Sequence, residues 1–485
     1  MRRAPSNGSP LPEEGRAPVK RPNIVFVMSD DHAAHAISAY GGALNRTPQL
    51  DRVAEEGMRF DNSFCTNAIC APSRAVILTG THNHVNGVMA MASPFDAGQP
   101  TFPALLHDAG YQTALFGKWH LGAGSGRDPQ GFDEWRVLYG QGEYDNPVLR
   151  TPRGDEHHAG YVTDILTDLS VDWLRSIDRD RPFCLLLHHK APHRTWIPAE
   201  RHRDLYQGEE FPEPATFRDD YATRCGAAAA ARMRIGEHLN PRDLKQDVPA
   251  GLDDAARTSW QYQRFITDYL RCVAAVDESV GRVLDCLDDT GLADDTVVVY
   301  TSDQGFFLGD HGWFDKRFIY EHSLRMPLLM RYPREISPGT VCRDLVSNVD
   351  FAQTFLDWAG VEAPSRMQGV SLRPLVSGRD ATPPRAAIYY RYWQHDDPAH
   401  GIWAHYGIRT ERYKLVYFYN DGMALPGTGT SAAAQCWELF DLANDPDELV
   451  NVWHDPAYRQ IRTELTDELA RQQAAVGDAP HRSQA

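Results

Sequence analysis

Long apolar runs are missing from this sequence. No window approaches the ~18 consecutive apolar residues of a membrane-spanning helix, so no membrane partner is expected. Positive charge is also short, with 49 Lys and Arg against 66 Asp and Glu. A net charge of −17 excludes a general nucleic-acid binder, and an anionic substrate must be drawn in by local cations. Cysteine is sparse: the eight are scattered, with no Cys-x-x-Cys pair, which excludes a dense disulfide framework. Mostly free thiols in a reducing compartment, and hence the cytoplasm, are the expectation. Residues 1–20 carry Arg2 and Arg3 but no apolar core, so they read as a disordered tail and not as a secretory signal or anchor. Internal repeats are absent.

Buried-type strands alternating with amphipathic helices are what the chain does have. Continuous apolar runs at 23–28, 111–116, 182–187 and 296–301 predict strands covered on both faces, and a further strand is expected at 327–332. Helices are expected from Thr47-Pro48 to Gly57, over 163–177, and over 262–288 on the spacing of Ile266, Leu270, Val273, Val276, Val280 and Leu284. The polar segment 195–261 reads as an insertion or lid near a cleft. From about 375 the strands become shorter, aromatic and alternating (388–393, 406–410, 413–419, 437–442), followed by an amphipathic helix at 456–473. The expected organisation is an α/β catalytic domain over 21–374 built on a mostly parallel sheet flanked by helices. A smaller antiparallel-sheet subdomain would cover 375–475, with a tail at 476–485.

Ligands of such sheets bind beyond the carboxyl ends of the strands, and each strand here carries its ionisable residues at that end. Asp30 and Asp31 follow the first, Lys118 and His120 the second, His193 the third and Asp303 the fourth. Cys70-Ala-Pro-Ser-Arg74 adds a helix start, since Pro72 suits the first turn and Gly80 the stop. Cys70 then sits where helix N–H groups favour an anion, with Arg74 one turn on. Asp30, Asp31, Asp303 and the Gln304 carbonyl form a hard oxygen set suited to Ca²⁺ or Mg²⁺. Arg74, Lys118, Lys316 and the histidines supply positive charge and proton transfer. Together they suit hydrolysis of a sulfate or phosphate ester with Cys70 near the reacting atom. A thiolate phosphatase would need Cys-x5-Arg, whereas the spacing here is Cys-x3-Arg.

Asn-Ile-Val-Phe-Val-Met-Ser-Asp-Asp at 23–31, Cys-Ala-Pro-Ser-Arg at 70–74, Gly-Lys-Trp-His-Leu-Gly at 117–122 and Ser-Asp-Gln-Gly at 302–305 resemble the type I sulfatases of the alkaline-phosphatase superfamily, over about residues 22–451. The resemblance implies that Cys70 is oxidised to formylglycine by a formylglycine-generating enzyme, and that the aldehyde's hydrate is the nucleophile. It further implies that Arg74 holds the hydrate and sulfate, and that Asp30, Asp31, Asp303 and Gln304 bind Ca²⁺. Lys118 and Lys316 would grip sulfate oxygens, His193 or Lys316 would protonate the departing oxygen, and His120 would deprotonate the second hydroxyl to expel sulfate. Gln304 stands where family members more often have Asn or His. The stretches 306–317 and 405–409 look like carbohydrate sulfatases acting on 6-O-sulfated N-acetylglucosamine, a small sulfated substrate, with His311, His405 and Arg409 expected to border the sugar. Alternatives within the resemblance are a phosphonate monoester or phosphodiester hydrolase, an aryl or choline sulfatase, and a non-catalytic binder of sulfated sugars.

Overall fold

The computed structural model describes residues 21–42, 44–124, 126–379, 383–431 and 433–484, so the tail expected over 1–20 lies outside the described residues. Ten strands form one sheet: β1 (Asn23–Ser29), β2 (Met58–Phe60), β3 (Gln112–Lys118), β4 (Glu134–Leu138), β5 (Val148–Thr151), β6 (Gly154–His157), β7 (Phe183–His188), β8 (Thr296–Ser302), β9 (Leu328–Arg331) and β10 (Thr340–Cys342). Their order is β10-β2-β9-β8-β1-β7-β3-β4-β5-β6. The centre, β8-β1-β7-β3-β4, is parallel throughout; β8, β1, β7 and β3 are the apolar runs read from the sequence, and β4 is a strand not assigned from the sequence. The flanks are antiparallel at β9, β5 and β6, which makes the whole sheet mixed. β1 pairs in register with β7 and β8, so Met28, His188 and Thr301 lie abreast and the three chains leave the sheet together.

Helices cover both faces. Helix α1 (Cys70–Thr79) is buried along its whole length and ends at Gly80, whose φ of 60° provides the left-handed stop. α2 (Val162–Ser176) packs against α3 (Asp254–Asp289), and α4 (Phe351–Ala359) packs against α1. α3 starts about two turns earlier than its apolar spacing indicates, because the Asp253 carboxylate accepts the Ala256 N–H and caps it there. Among the described residues no helix is long and apolar enough to cross a membrane.

Segment 195–261 is not a free lid. Trp196, Met233 and Ile235 are fully buried, so the insertion is part of the core wall. Cys225 within it is disulfide-bonded to Cys436 of the smaller sheet, while six other cysteines are free. That bond is the exception to the expected free thiols.

The smaller sheet is antiparallel: β11 (Ala387–Tyr392), β12 (His405–Thr410), β13 (Tyr413–Phe418) and β14 (Cys436–Asp441). Helix α5 (Arg459–Val476) closes its outer face with Leu465 and Leu469. The chain beyond it, expected as a tail, is packed down: Asp478 accepts from Tyr389 at 2.7 Å and Arg391 at 2.8 Å, and Tyr406 accepts the His481 N–H.

Buried ion pairs join the two units. Lys414, with no exposed surface, holds Glu321 at 2.9 Å and Glu448 at 2.6 Å. Arg409 meets the same Glu321 at 3.2 Å. Lys414→Met should leave two neighbouring buried carboxylates sharing only Arg409, at a cost of about 3–5 kcal/mol. Urea unfolding at pH 7.5 is the measurement. The loss should shrink as the pH falls toward 5, because the neutral carboxyls no longer need the ammonium.

Candidate functional site

The chain ends of β1, β7, β8 and β3 converge with the N-terminus of α1 on one buried cluster. Asp30, Asp31 and Asp303 are at most 1% exposed, and one oxygen of each lies within 4.8 Å of the others. Asp31 takes a φ of 66°, held by its carbonyl accepting the Tyr269 hydroxyl at 2.7 Å and its N–H donating to Asp303 at 3.2 Å. Such a left-handed residue turns the second carboxylate of the pair back toward the first. Each carboxylate has a cation against it: Lys118 on Asp30, Lys316 on Asp31 at 2.7 Å, and Arg74 on Asp303 at 3.0 Å. Burial alone would lower the Lys316 ammonium, but Asp31 beside it holds it above the ordinary lysine range.

Gln304 donates its Nε2–H to Asp31 at 2.5 Å, while its buried Oε1 has no partner. The Gln304 carbonyl oxygen is thus the unmet acceptor of a four-oxygen set that a hard divalent cation fits. The four oxygen-bearing residues expected to hold a metal are therefore together.

Cys70 heads α1 with its Sγ 3.5 Å from Asp30 Oδ1. Burial pushes its thiol up to about 12, against the pull of Lys316, so it is a protonated thiol at neutral pH. Arg74 donates Nε–H to Asp303 and one terminal nitrogen to the Lys118 carbonyl at 2.9 Å, leaving its other terminal nitrogen without a hydrogen bond. His120 donates Nδ1–H to the Gly140 carbonyl at 2.8 Å, which leaves Nε2 as the lone-pair nitrogen. His193 donates Nδ1–H to the Arg194 carbonyl and turns Nε2 toward Asp31 at 3.7 Å. Burial pushes both imidazoles well below 6.5, so both are neutral at rest.

The three residues expected around a sugar lie elsewhere. His311 is buried against Asp219 at 2.8 Å; His405 accepts the Ile319 N–H and is stacked with Tyr390 and Tyr392; Arg409 pairs with Glu321. They brace the joint between the two sheets. Aromatic and charged residues in that joint look the same in sequence as those of a sugar pocket.

Three further polar residues stand beside the cluster's cations. Gln141 accepts from Lys118 and donates to His120 Nε2 at 3.4 Å, linking the two. Asp315 and Arg317 flank Lys316 at φ of 81° and 94°, against His400 and Asp397, whose Oδ2 is buried without a partner. A lone Gln carries no motif. Asp315 and Arg317 could have been suspected from their adjacency to Lys316. A cavity of about 480 Å³ opens beside the cluster, lined by Gln141, Tyr144, Lys190, His193, Arg194 and Arg242 among others.

Gly117 has a φ of 114°, and a Cβ there would fall against the His188 carbonyl of the neighbouring strand. Gly117→Ala should cost about 2–4 kcal/mol from strain and overlap. Because Lys118 is the next residue, turnover should fall further than the unfolded fraction explains; thermal melts and kcat on the same preparation separate the two.

A parallel sheet that delivers paired carboxylates, three cations and a helix-end side chain to one point defines an alkaline-phosphatase-like hydrolase. The chain belongs to the sulfatase family: the family described as Sulfatase matches residues 22–361, and the N-sulphoglucosamine sulphohydrolase C-terminal family matches 309–475. It is an enzyme of the sulfuric ester hydrolase class. An N-acetylglucosamine-6-O-sulfatase of Bacteroides thetaiotaomicron is 44% identical, over 95% of this chain and 87% of that protein. The human N-acetylglucosamine-6-sulfatase is 30% identical, over 78% of this chain and 68% of its own length. A solved structure of a protein in complex with its substrate D-glucosamine-2-N,6-O-disulfate superposes with a TM-score of 0.89 at 43% identity, covering 94% of this chain and 98% of that one. The phosphonate monoester hydrolase of Agrobacterium radiobacter shares the fold, with a TM-score of 0.72 at 21% identity over 94% of this chain and 96% of that one.

Proposed function

We propose that this sulfatase removes the 6-O-sulfate of a glucosamine residue, using formylglycine made from Cys70 and a Ca²⁺ held by Asp30, Asp31, Asp303 and Gln304. The observation that carries the reading is the orphaned Gln304 oxygen among three carboxylates, within a cluster that Cys70 joins through Asp30. The relatives at 44% and 30% identity support the sugar.

The bound cation would acidify the hydrate and polarise the ester. It would also compete for the carboxylates that now hold Lys118, Lys316 and Arg74, leaving those cations for the oxygens of the sulfate. In attack, one hydroxyl of the hydrate, its acidified proton lost to solvent, would form the O–S bond while the sugar's C6 oxygen leaves with the S–O electrons and takes a proton from a residue of the site. Lys316 is an ammonium with a proton to give, whereas His193 is neutral at rest. His120 Nε2, fixed as a lone pair by the Gly140 carbonyl, then takes the proton of the second hydroxyl. The C–O bond to sulfate breaks and the aldehyde re-forms. Asp315 and Arg317, flanking Lys316, are the residues for sugar hydroxyls. The formylglycine-generating enzyme of the host is the maturation partner.

The mass of the peptide carrying Cys70 in active, natively produced enzyme is the direct test. Formylglycine is expected, and an intact thiol would overturn the mechanism. Cys70→Ala should abolish turnover of glucosamine 6-sulfate while leaving the melting temperature within a few degrees. The enzyme should prefer an aryl sulfate to the matched aryl phosphonate by a large factor, and the reverse preference would sink the sulfatase substrate reading.

Gln304→Leu removes the orphaned oxygen. It should weaken Ca²⁺ binding by about 10–100-fold, seen by calorimetry and as a smaller Ca²⁺-induced rise in melting temperature.

A further inference from the structure

Lys190 is a buried ammonium with no ion-pair partner, and Glu143 and Asp31 act on it only from beyond contact. It is 4% exposed, lies 4.7 Å above the Tyr144 ring, and its one hydrogen bond is a long 3.4 Å contact to the Arg194 carbonyl. Among the described residues no carboxylate lies within ion-pair distance of it. Burial lowers its ammonium to about 8, so it is still largely charged at neutral pH. A buried lysine without a partner is rare and costly unless something supplies the missing negative charge.

Its position says where that charge comes from. Lys190 lines the 480 Å³ cavity together with His193 and Gln141, both of which touch the reaction centre. The other cations of that cavity divide cleanly. Arg194 is committed to Asp243 at 2.5 Å, and Lys245 to Asp268 at 3.0 Å. Arg242, exposed on the rim, makes no side-chain hydrogen bond or ion pair among the described residues, and the exposed Glu143 is the one opposing charge left over. In a chain of net charge −17, this wall of the cleft presents two uncommitted cations to whatever carries the scissile ester.

We propose that Lys190, with Arg242 at the rim, forms a second anion subsite, so that the preferred substrate bears a further oxyanion close to the sulfate being cleaved. The inference rests on the sugar-sulfate reading above and deepens it. The shared chemistry is an oxyanion, either a sulfamate on the same ring or a carboxylate on the adjoining ring.

The test compares kcat/KM of the wild type and Lys190→Met on five substrates. Three are 6-O-sulfated glucosamines: N-acetylated, N-sulfated, and N-acetylated but linked to a uronate. The other two are matched aryl sulfates, one bearing a carboxylate and the other its methyl ester. A charge-assisted contact predicts a wild-type preference of about tenfold or more for the doubly anionic member. That ratio should collapse toward one in Lys190→Met, whatever happens to the absolute rates. The sugar arm in which it collapses assigns the source as sulfamate or carboxylate. A uniform loss on all substrates, or a ratio that survives the substitution, overturns the subsite. If no glucosamine sulfate is turned over, the sugar reading fails, and the aryl pair still decides the subsite. If the sugars are cleaved with no charge preference, the sugar reading stands and the subsite falls.

Discussion

Asp30, Asp31 and Asp303 sit at the ends of two neighbouring parallel strands, almost without solvent, and each is pressed against one cation. A buried carboxylate alone would take up a proton or cost several kcal/mol, so three in contact require matching positive charge from elsewhere. That requirement dictates what surrounds them. Lys118 comes from the end of β3 and Arg74 from the first turns of α1. Lys316 comes from the loop beyond β8. Each element is anchored where its cation can arrive: β3 by the close approach at Gly117, α1 by burial on every face, and the loop by the second sheet. The same balance prepares the chemistry. A divalent cation bound there would compete with the ammonium and guanidinium groups for the carboxylates, and would free the charges an oxyanion ester needs.

The smaller sheet is part of this balance. His405 accepts the backbone N–H of Ile319, Tyr390 donates to the Arg317 carbonyl, and Arg409 and Lys414 hold Glu321. These contacts bracket the segment 317–321 directly after Lys316. The loop therefore keeps its left-handed residues Asp315 and Arg317 because the second sheet over-determines the backbone around them. The joint between the sheets positions the third cation of the site.

The central architecture was legible because a strand buried on both faces is an unbroken apolar run, and the ends of such strands must meet on one edge. Asp30, Asp31, Lys118, His193 and Asp303 could thus be gathered from the sequence. Arg74, Cys70 and Gln304 followed from a helix-start pattern and the strand-end motif. The antiparallel flanks were less legible, since direction depends on connections across the sheet and not on local composition. Gln141, Lys190 and Arg242 were invisible for another reason: an isolated polar residue acquires meaning only through what it fails to pair with. His311, His405 and Arg409 show the converse, being paired within the joint between the two sheets. Their aromatic, charged surroundings mark burial between two sheets as well as they mark a sugar site, and only the partners Asp219, Ile319 and Glu321 tell these apart.

The state of Cys70 decides what this cluster can do. Burial pushes the Cys70 thiol up to about 12, so it is protonated at pH 7. Thiolate catalysts rely on the opposite environment, one that stabilises the anion. Here burial, helped by the charges of Asp303 and Asp31, outweighs the pull of Lys316 and Arg74, and Asp30 Oδ1 accepts the S–H at 3.5 Å. A helix-end anion site with a silent thiol would hold an ester and leave it intact. An aldehyde hydrate at the same carbon has two hydroxyls, one to attack and one to expel the product, and neither needs the environment a thiolate needs. The electrostatics that make Cys70 a poor nucleophile are thus an argument for its conversion.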